Sequence, residues 1–113
     1  MAEEPRKINK VLFTRPVVIV LSSGKSVHSY INEVSDNGIG ILTLMPAELG
    51  AKLTFNFTLP LGDKKYDLGL RGKIVCCRLR ADKYISGVIF DKITKADSTI
   101  LKKFVLEIRN KRR

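Results

Sequence analysis

Lys52-Leu53-Thr54-Phe55-Asn56-Phe57-Thr58-Leu59 decides the fold class. Leu53, Phe55, Phe57 and Leu59 alternate with Thr54, Asn56 and Thr58. Neighbouring side chains of an extended chain point to opposite faces, so this strand has one apolar face and one wettable face. A strand of that kind belongs to an antiparallel sheet packed on one side. Downstream, Leu61-Gly62-Asp63-Lys64-Lys65 reverses the chain, and residues 66 to about 80 form a long strand. Gly69 and Gly72 inside it predict a bulge or bend of the sort found at a barrel corner. Ala81-Asp82-Lys83 turns into a further strand over residues 84–90.

Upstream of the same stretch the pattern is also of strands. Residues 16–21 are apolar and rich in β-branched side chains, and Ser22-Ser23-Gly24-Lys25 follows with turn chemistry. Val27, Ser29 and Ile31 then share one side of a pleat, with His28, Tyr30 and Asn32 on the other. Ser35-Asp36-Asn37-Gly38 makes a second turn; Asn37-Gly38 is the dipeptide most at ease with positive φ, which leaves Ser35 at the lip. Residues 39–44 form a strand that ends at Met45-Pro46, with Glu48-Leu49-Gly50 as the connector. Towards the C-terminus the period changes. Ile100, Leu101, Phe104, Val105 and Ile108 recur at helical spacing, predicting an amphipathic helix from about residue 95 to 109 with Thr94 or Asp97 as cap. The expectation is mainly β: a small six-stranded antiparallel β-barrel with a C-terminal α-helix against it. Residues 1–13 lack a clean period and read as a flexible basic arm, with residues 14–113 as the barrel and helix.

The 113 residues make one domain with room for a core, and 44% hydrophobic and 28% charged residues are ordinary for a globular chain. The longest apolar run, residues 17–21, is far short of the ~18 residues a membrane span needs. Met1-Ala2-Glu3-Glu4 is acidic and leads into no apolar h-region, so no secretory signal and a cytoplasmic location are expected. A net charge of +10 suits an anionic partner: a nucleotide, nucleic acid, an acidic protein surface or an anionic leaflet. The charge gathers at the ends, with Arg6, Lys7, Lys10 and Arg15 at one and Lys102, Lys103, Arg109, Lys111, Arg112 and Arg113 at the other.

Catalytic and metal chemistry find little support. Cys76 and Cys77 are adjacent in a strand and so face opposite ways; one is expected in the core and one nearer the surface, both reduced. Two thiols alone supply half of a structural zinc site. His28 stands alone, and no nucleophile has a base at a recognisable spacing. Ser22-Ser23-Gly24-Lys25 lacks the spacing of a phosphate loop and the helix that would follow it. The chain reads as a binding protein without catalytic residues, metal or resident cofactor.

Two segments carry a resemblance. Arg6-Lys7-Ile8-Asn9-Lys10 and Glu33-Val34-Ser35-Asp36-Asn37-Gly38 are similar to the R-x-x-x-R and [D/N]-x-S-x-x-G pair of the PilZ domain, the bacterial receptor module for cyclic di-GMP. Order and spacing support it. The run from Val11 to Ile19 is similar to the family's first strand, Leu70-Arg71-Gly72-Lys73-Ile74-Val75 to its h-x-G-x-V-V strand, Ser86-Gly87-Val88-Ile89-Phe90 to its G-h-x-F strand, and residues 91–105 to its closing helix. The resemblance implies a PilZ-type barrel that binds cyclic di-GMP through Arg6, Lys7, Lys10, Glu33, Ser35 and Gly38, changes conformation, and signals to a protein partner.

The chemistry of these residues suits that ligand. Arginine's planar fork bridges phosphate oxygens or pairs with guanine O6 and N7, while an acidic residue and a serine on a tight turn meet the base. Lys10 stands where the family has its second arginine, and it keeps the charge without the fork. One lost bidentate contact costs roughly 1–3 kcal/mol, and each 1.4 kcal/mol is about tenfold in affinity. Glu33 stands where the family prefers aspartate or asparagine, one methylene longer. Some members stack an aromatic just after the h-x-G-x-V-V segment, where this chain has Cys76 and Cys77, with Arg71 or Arg78 as the stacking substitute. Two alternatives remain: a PilZ-fold interaction module that no longer binds the nucleotide, and a basic β-barrel for nucleic acid. The latter is disfavoured by three tyrosines, five phenylalanines and no tryptophan, with no clustered stacking platform.

Overall fold

A computed structural model describes residues 10–111. Its elements are β1 (Lys10–Val20), β2 (Ser26–Ser35), β3 (Gly38–Thr43), β4 (Lys52–Leu61), β5 (Lys64–Arg80), β6 (Lys83–Phe90) and α1 (Lys95–Lys111). All strand pairs are antiparallel, and the sheet closes in the order β1-β2-β3-β6-β5-β4. Closure rests on two non-consecutive pairings. Residues 38–43 of β3 lie beside β6, and Val18, Ile19 and Val20 of β1 meet Asn56, Phe55 and Thr54 of β4. The expected six strands and C-terminal helix are all present, although several ends differ by a few residues.

The alternation of β4 operates as its sequence requires: Phe55, Phe57 and Leu59 are buried, and Asn56 is exposed. They join Val17, Ile19, Ile31, Ile41, Leu70, Ile74 and Val88 in one core. Fully burying such a side chain contributes about 1.5–3 kcal/mol. α1 lies against β1, β2 and β4 and closes the core with Leu101, Phe104 and Val105. Phe104 meets Phe13 edge-on at 4.8 Å between ring centroids, a favoured aromatic geometry. Thr94 is the cap: its Oγ1 accepts from the Asp97 amide at 3.1 Å, satisfying one of the orphan donors of the first turn. Asp97 in that turn and Arg109 and Lys111 in the last complement the helix dipole.

The structure changes several expectations. The arm does not reach residue 13. β1 begins at Lys10, because Val11 enters the core at 5% exposure and residues 10–12 pair with Ser35, Val34 and Glu33. The β5 irregularity falls at Val75, where the register against β6 shifts between Ile74 and Cys76; Gly69 and Gly72 pair regularly with Asn56 and Leu53. Gly72 is small for packing, since a Cβ there would stand 2.6 Å from Val88 Cγ1 and 3.3 Å from Phe55 Cε2. Neither cysteine is fully buried: the extra residue at Val75 turns Cys76 outward, where it is exposed, and Cys77 inward, where it is half-buried. Asn37 and Gly38 do not adopt positive φ; among the described residues the left-handed positions are Gly24, Gly50, Gly62, Ala81 and Lys92. The β2–β3 reversal is held by the Ser35 side chain.

Candidate functional site

The site is built by register slips. Asn32 is an extra residue on β2 against β3, because Ile31 pairs with Ile41 and Glu33 with Gly40. β1 slips between Leu12 and Arg15, and β5 slips at Val75. The slips on β2 and β5 swap the faces of the side chains that follow, as bulges commonly do, whereas β1 keeps its alternation, with Val11, Val17 and Ile19 all buried. On β2 the strict alternation would have put Glu33 on Ile31's side, towards the core. The bulge instead buries Val34 and turns Glu33 to the outer face.

One outer-face row then crosses five strands. Leu12 pairs with Glu33, Glu33 with Gly40, Gly40 with Gly87, and Gly87 with Cys76. Its middle is two facing glycines, so the backbone there is uncovered by any side chain of its own. A neighbouring row runs Tyr30, Leu42, Ile85 and Arg78. On the other side, Gly38 pairs with Ile89 and Ile89 with Lys73. Between these rows lies a groove of about 350 Å3 whose lining includes Lys10, Glu33, Ser35, Gly38, Cys76 and Arg78.

Four of the six sequence-predicted site residues therefore share one groove. Arg6 and Lys7 lie outside the described residues. Lys10 reaches Glu33 directly, Nζ to Oε1 at 3.3 Å, with the lysine side chain 52% exposed and the glutamate 19%. A pair this open to water is worth about 0.2–1 kcal/mol. Ser35 Oγ has two acceptors within reach of its one proton, Gly38 O at 3.1 Å and Asn37 Oδ1 at 3.0 Å, and accepts from the Asn37 amide at 3.3 Å. The hydroxyl thus shapes the turn it sits on, a local bonding pattern typical of serine. Gly38 is required by packing. A Cβ there would land on the Val88 carbonyl oxygen of β6.

Three side chains lie over the glycine pair. A Cβ on Gly40 would stand 2.7 Å from Glu33 Cγ and 2.8 Å from Asn32 Oδ1, and one on Gly87 would stand 2.7 Å from Cys76 Sγ. Asn32 Oδ1 and Ser86 Oγ are buried among the described residues without a hydrogen-bond partner. A larger cleft, about 490 Å3, lies between Lys52, Arg71, Lys92 and the start of α1. Asp91 and Asp97 offset its cations and none of Lys10, Glu33, Ser35 and Gly38 lines it, so volume does not identify the site here. Arg71 belongs to that cleft, and Arg78 to the groove. Gly40, Asn32 and Tyr30 were not singled out as site residues by sequence reasoning; a glycine inside a strand was the available signal, since it marks close approach to the backbone.

The PilZ domain model matches residues 2–107, nearly the whole chain. The chain belongs to the PilZ domain family. Among solved structures, this PilZ chain is similar to MotI/DgrA, the inhibitor of motility of Bacillus subtilis, with TM-score 0.87 and 16% identity over 98% of its length and 55% of the other chain. It is also similar to the PilZ domain of Escherichia coli YcgR with c-di-GMP, TM-score 0.78 and 11% identity, covering 97% of this chain and 95% of that one. The match to K. pneumonia MrkH in complex with c-di-GMP has TM-score 0.74 and 13% identity, over 97% of this chain and 55% of MrkH. The chain thus spans about half the length of MotI and MrkH, and at these identities the likeness is one of fold. Comparison with curated protein sequences gives no match. No helix among the described residues is long and apolar enough to cross a membrane.

Proposed function

We propose that this PilZ domain is a cytoplasmic cyclic di-GMP receptor that acts as an adaptor: it changes conformation on binding and signals to a protein partner. The observation that carries this reading is the convergence of Lys10, Glu33, Ser35 and Gly38 in one groove over the Gly40–Gly87 floor. Related folds whose structures hold c-di-GMP, the YcgR PilZ domain and MrkH, add support.

The binding mechanism follows from the donors and their places. Gly40 and Gly87 carry no side chains of their own, so a flat base comes close once the side chains lying over them turn aside. Lys10 supplies a point charge for phosphate, and the fork of Arg6 bridges phosphate oxygens or reads guanine O6 and N7. Lys10 begins the strand that borders the groove, so a ligand there lies within reach of the residues that precede it in sequence, Arg6 among them. A ligand held there alters the surface seen by a partner, and the domain acts as a binding module.

Isothermal titration with cyclic di-GMP, with GTP as control, tests the reading. Arg6→Ala and Ser35→Ala each weaken binding, whereas Lys25→Ala, on the remote β1–β2 turn, leaves it unchanged. No heat from the parent up to ~1 mM ligand, a free energy weaker than about −4.1 kcal/mol, refutes it. One observation favours a second reading, an adaptor that has lost its ligand: Lys10 is lysine and already tied to Glu33. Tight binding by Lys10→Arg from a silent parent identifies that case.

A further inference from the structure

Glu33 sits where the family's pattern places the residue that meets the base, yet its carboxylate is turned elsewhere. Oε1 is 3.3 Å from Lys10 Nζ, on the cation a phosphate would need. Its stem lies over Gly40, with Cγ 2.7 Å from the point a Cβ there would occupy. With 19% of its side chain exposed, Glu33 is folded onto the floor of the groove. Beside it, within 2.8 Å of the same point, is Asn32 Oδ1, a buried acceptor with no donor. An unmet buried acceptor is costly, and a ligand N–H arriving there removes the cost.

On the reading that this groove takes cyclic di-GMP, we propose that Glu33 is the empty groove's own occupant, a counter-ion that holds Lys10 until a phosphate displaces it, and that Asn32 supplies the base acceptor uncovered when Glu33 leaves. The β2 bulge is what makes this division possible. It brings Asn32 and Glu33, consecutive in sequence, to the same side of the sheet above Gly40. In a regular strand they would face opposite ways. Glu33 then opposes binding twice, by neutralising Lys10 and by repelling the phosphates, and its removal favours the ligand.

The test titrates two probes, cyclic di-GMP and inorganic pyrophosphate, into 15N-labelled parent, Glu33→Gln and Asn32→Ala proteins at ~50 mM salt, where exposed charges still act over more than about 10 Å. The Gly38, Gly40 and Gly87 amides report the groove. Glu33→Gln keeps the shape and loses the charge, so both probes bind tighter, by up to about fivefold for the loss of an exposed ion pair. Asn32→Ala loses cyclic di-GMP affinity by about fivefold or more, for one buried hydrogen bond, with pyrophosphate unchanged. The thermal melt of Asn32→Ala controls for folding. If Glu33→Gln weakens cyclic di-GMP or leaves pyrophosphate unchanged, Glu33 is not the counter-ion. Pyrophosphate tightening without any response to cyclic di-GMP overturns the nucleotide reading and keeps Glu33 as counter-ion. Silence of the three amides to both probes overturns both.

Discussion

Gly38 separates what the fold requires of the motif from what a ligand requires. In Gly38→Ala the new methyl is aimed at the Val88 carbonyl, with the carbonyl carbon 3.2 Å and Ile89 Cα 3.5 Å away. The obstacle is backbone and cannot rotate aside. β6 is fixed from its other side by β5, through the Phe90–Gly72, Ile89–Lys73 and Val88–Ile74 pairs. Relief therefore needs β3 to part from β6, which weakens the Gly38–Ile89 pairing and the 2.9 Å bond from the Phe90 amide to Asn37 O. Overpacking against movable side chains costs about 1–3 kcal/mol, and each loosened backbone hydrogen bond about 0.5–1.5 kcal/mol, so a loss of roughly 3–5 kcal/mol is expected. At about 4–8 °C per kcal/mol for a domain near this size, Tm falls by more than ~12 °C. Gly40→Ala is the control. Its methyl meets the side chains of Glu33 and Asn32, which can turn away, so its thermal shift is the smaller one. Thermal and urea unfolding of both variants, with cyclic di-GMP titration of whatever remains folded, makes the comparison. If Gly38→Ala melts within ~3 °C of the parent, less than about 1 kcal/mol, and yet loses the ligand, the glycine is there for the ligand and the packing argument fails.

Two further outcomes follow from the same geometry. Phe104→Ala removes a fully buried ring that packs on Phe13 and lowers urea stability by about 3–5 kcal/mol; a loss below ~1 kcal/mol would show that α1 does not close the core. Cys76, exposed in the groove, reacts with a maleimide faster than half-buried Cys77, and saturating cyclic di-GMP slows Cys76 alone. Equal rates for the two thiols would contradict the bulge at Val75.

The barrel was legible wherever pattern and pairing agree. β4, with its strict alternation, needed only the two-residue period, and the helix declared itself through Leu101, Phe104 and Val105. Lys10 and Ser35 were legible as neighbours, since hairpin register alone brings them together. The orientation of Glu33 was not. A bulge is a one-residue slip whose presence depends on what the partner strand leaves room for, and the alternation of a single strand carries no record of its partner. At β2 the period placed Tyr30 and Asn32 together and left Glu33 opposite, whereas the slip at Asn32 sends Glu33 outward. At β5 the glycines 69 and 72 drew attention to the wrong place, because they serve packing and the slip occurs at Val75.

What the bulges and glycines do jointly explains why this groove lies on a barrel wall that would otherwise be closed. A regular closed sheet covers its outer face with alternate side chains and offers little concavity. Here the slips on β1, β2 and β5 bring Leu12, Glu33 and Cys76 into register with Gly40 and Gly87. The flanks of the row rise while its centre has no side chains, and a channel results without any gap in the backbone pairing between β3 and β6. Gly38 allows β3 to run tight against Val88, and Ser35 holds the turn that begins the strand. Each of these residues has a structural duty as well as a place in the groove. A variant's loss of binding therefore identifies a ligand contact only when its unfolding curve is unchanged, and Glu33→Gln, which opens an exposed ion pair without touching the core, meets that condition more closely than substitution of Gly38 or Ser35.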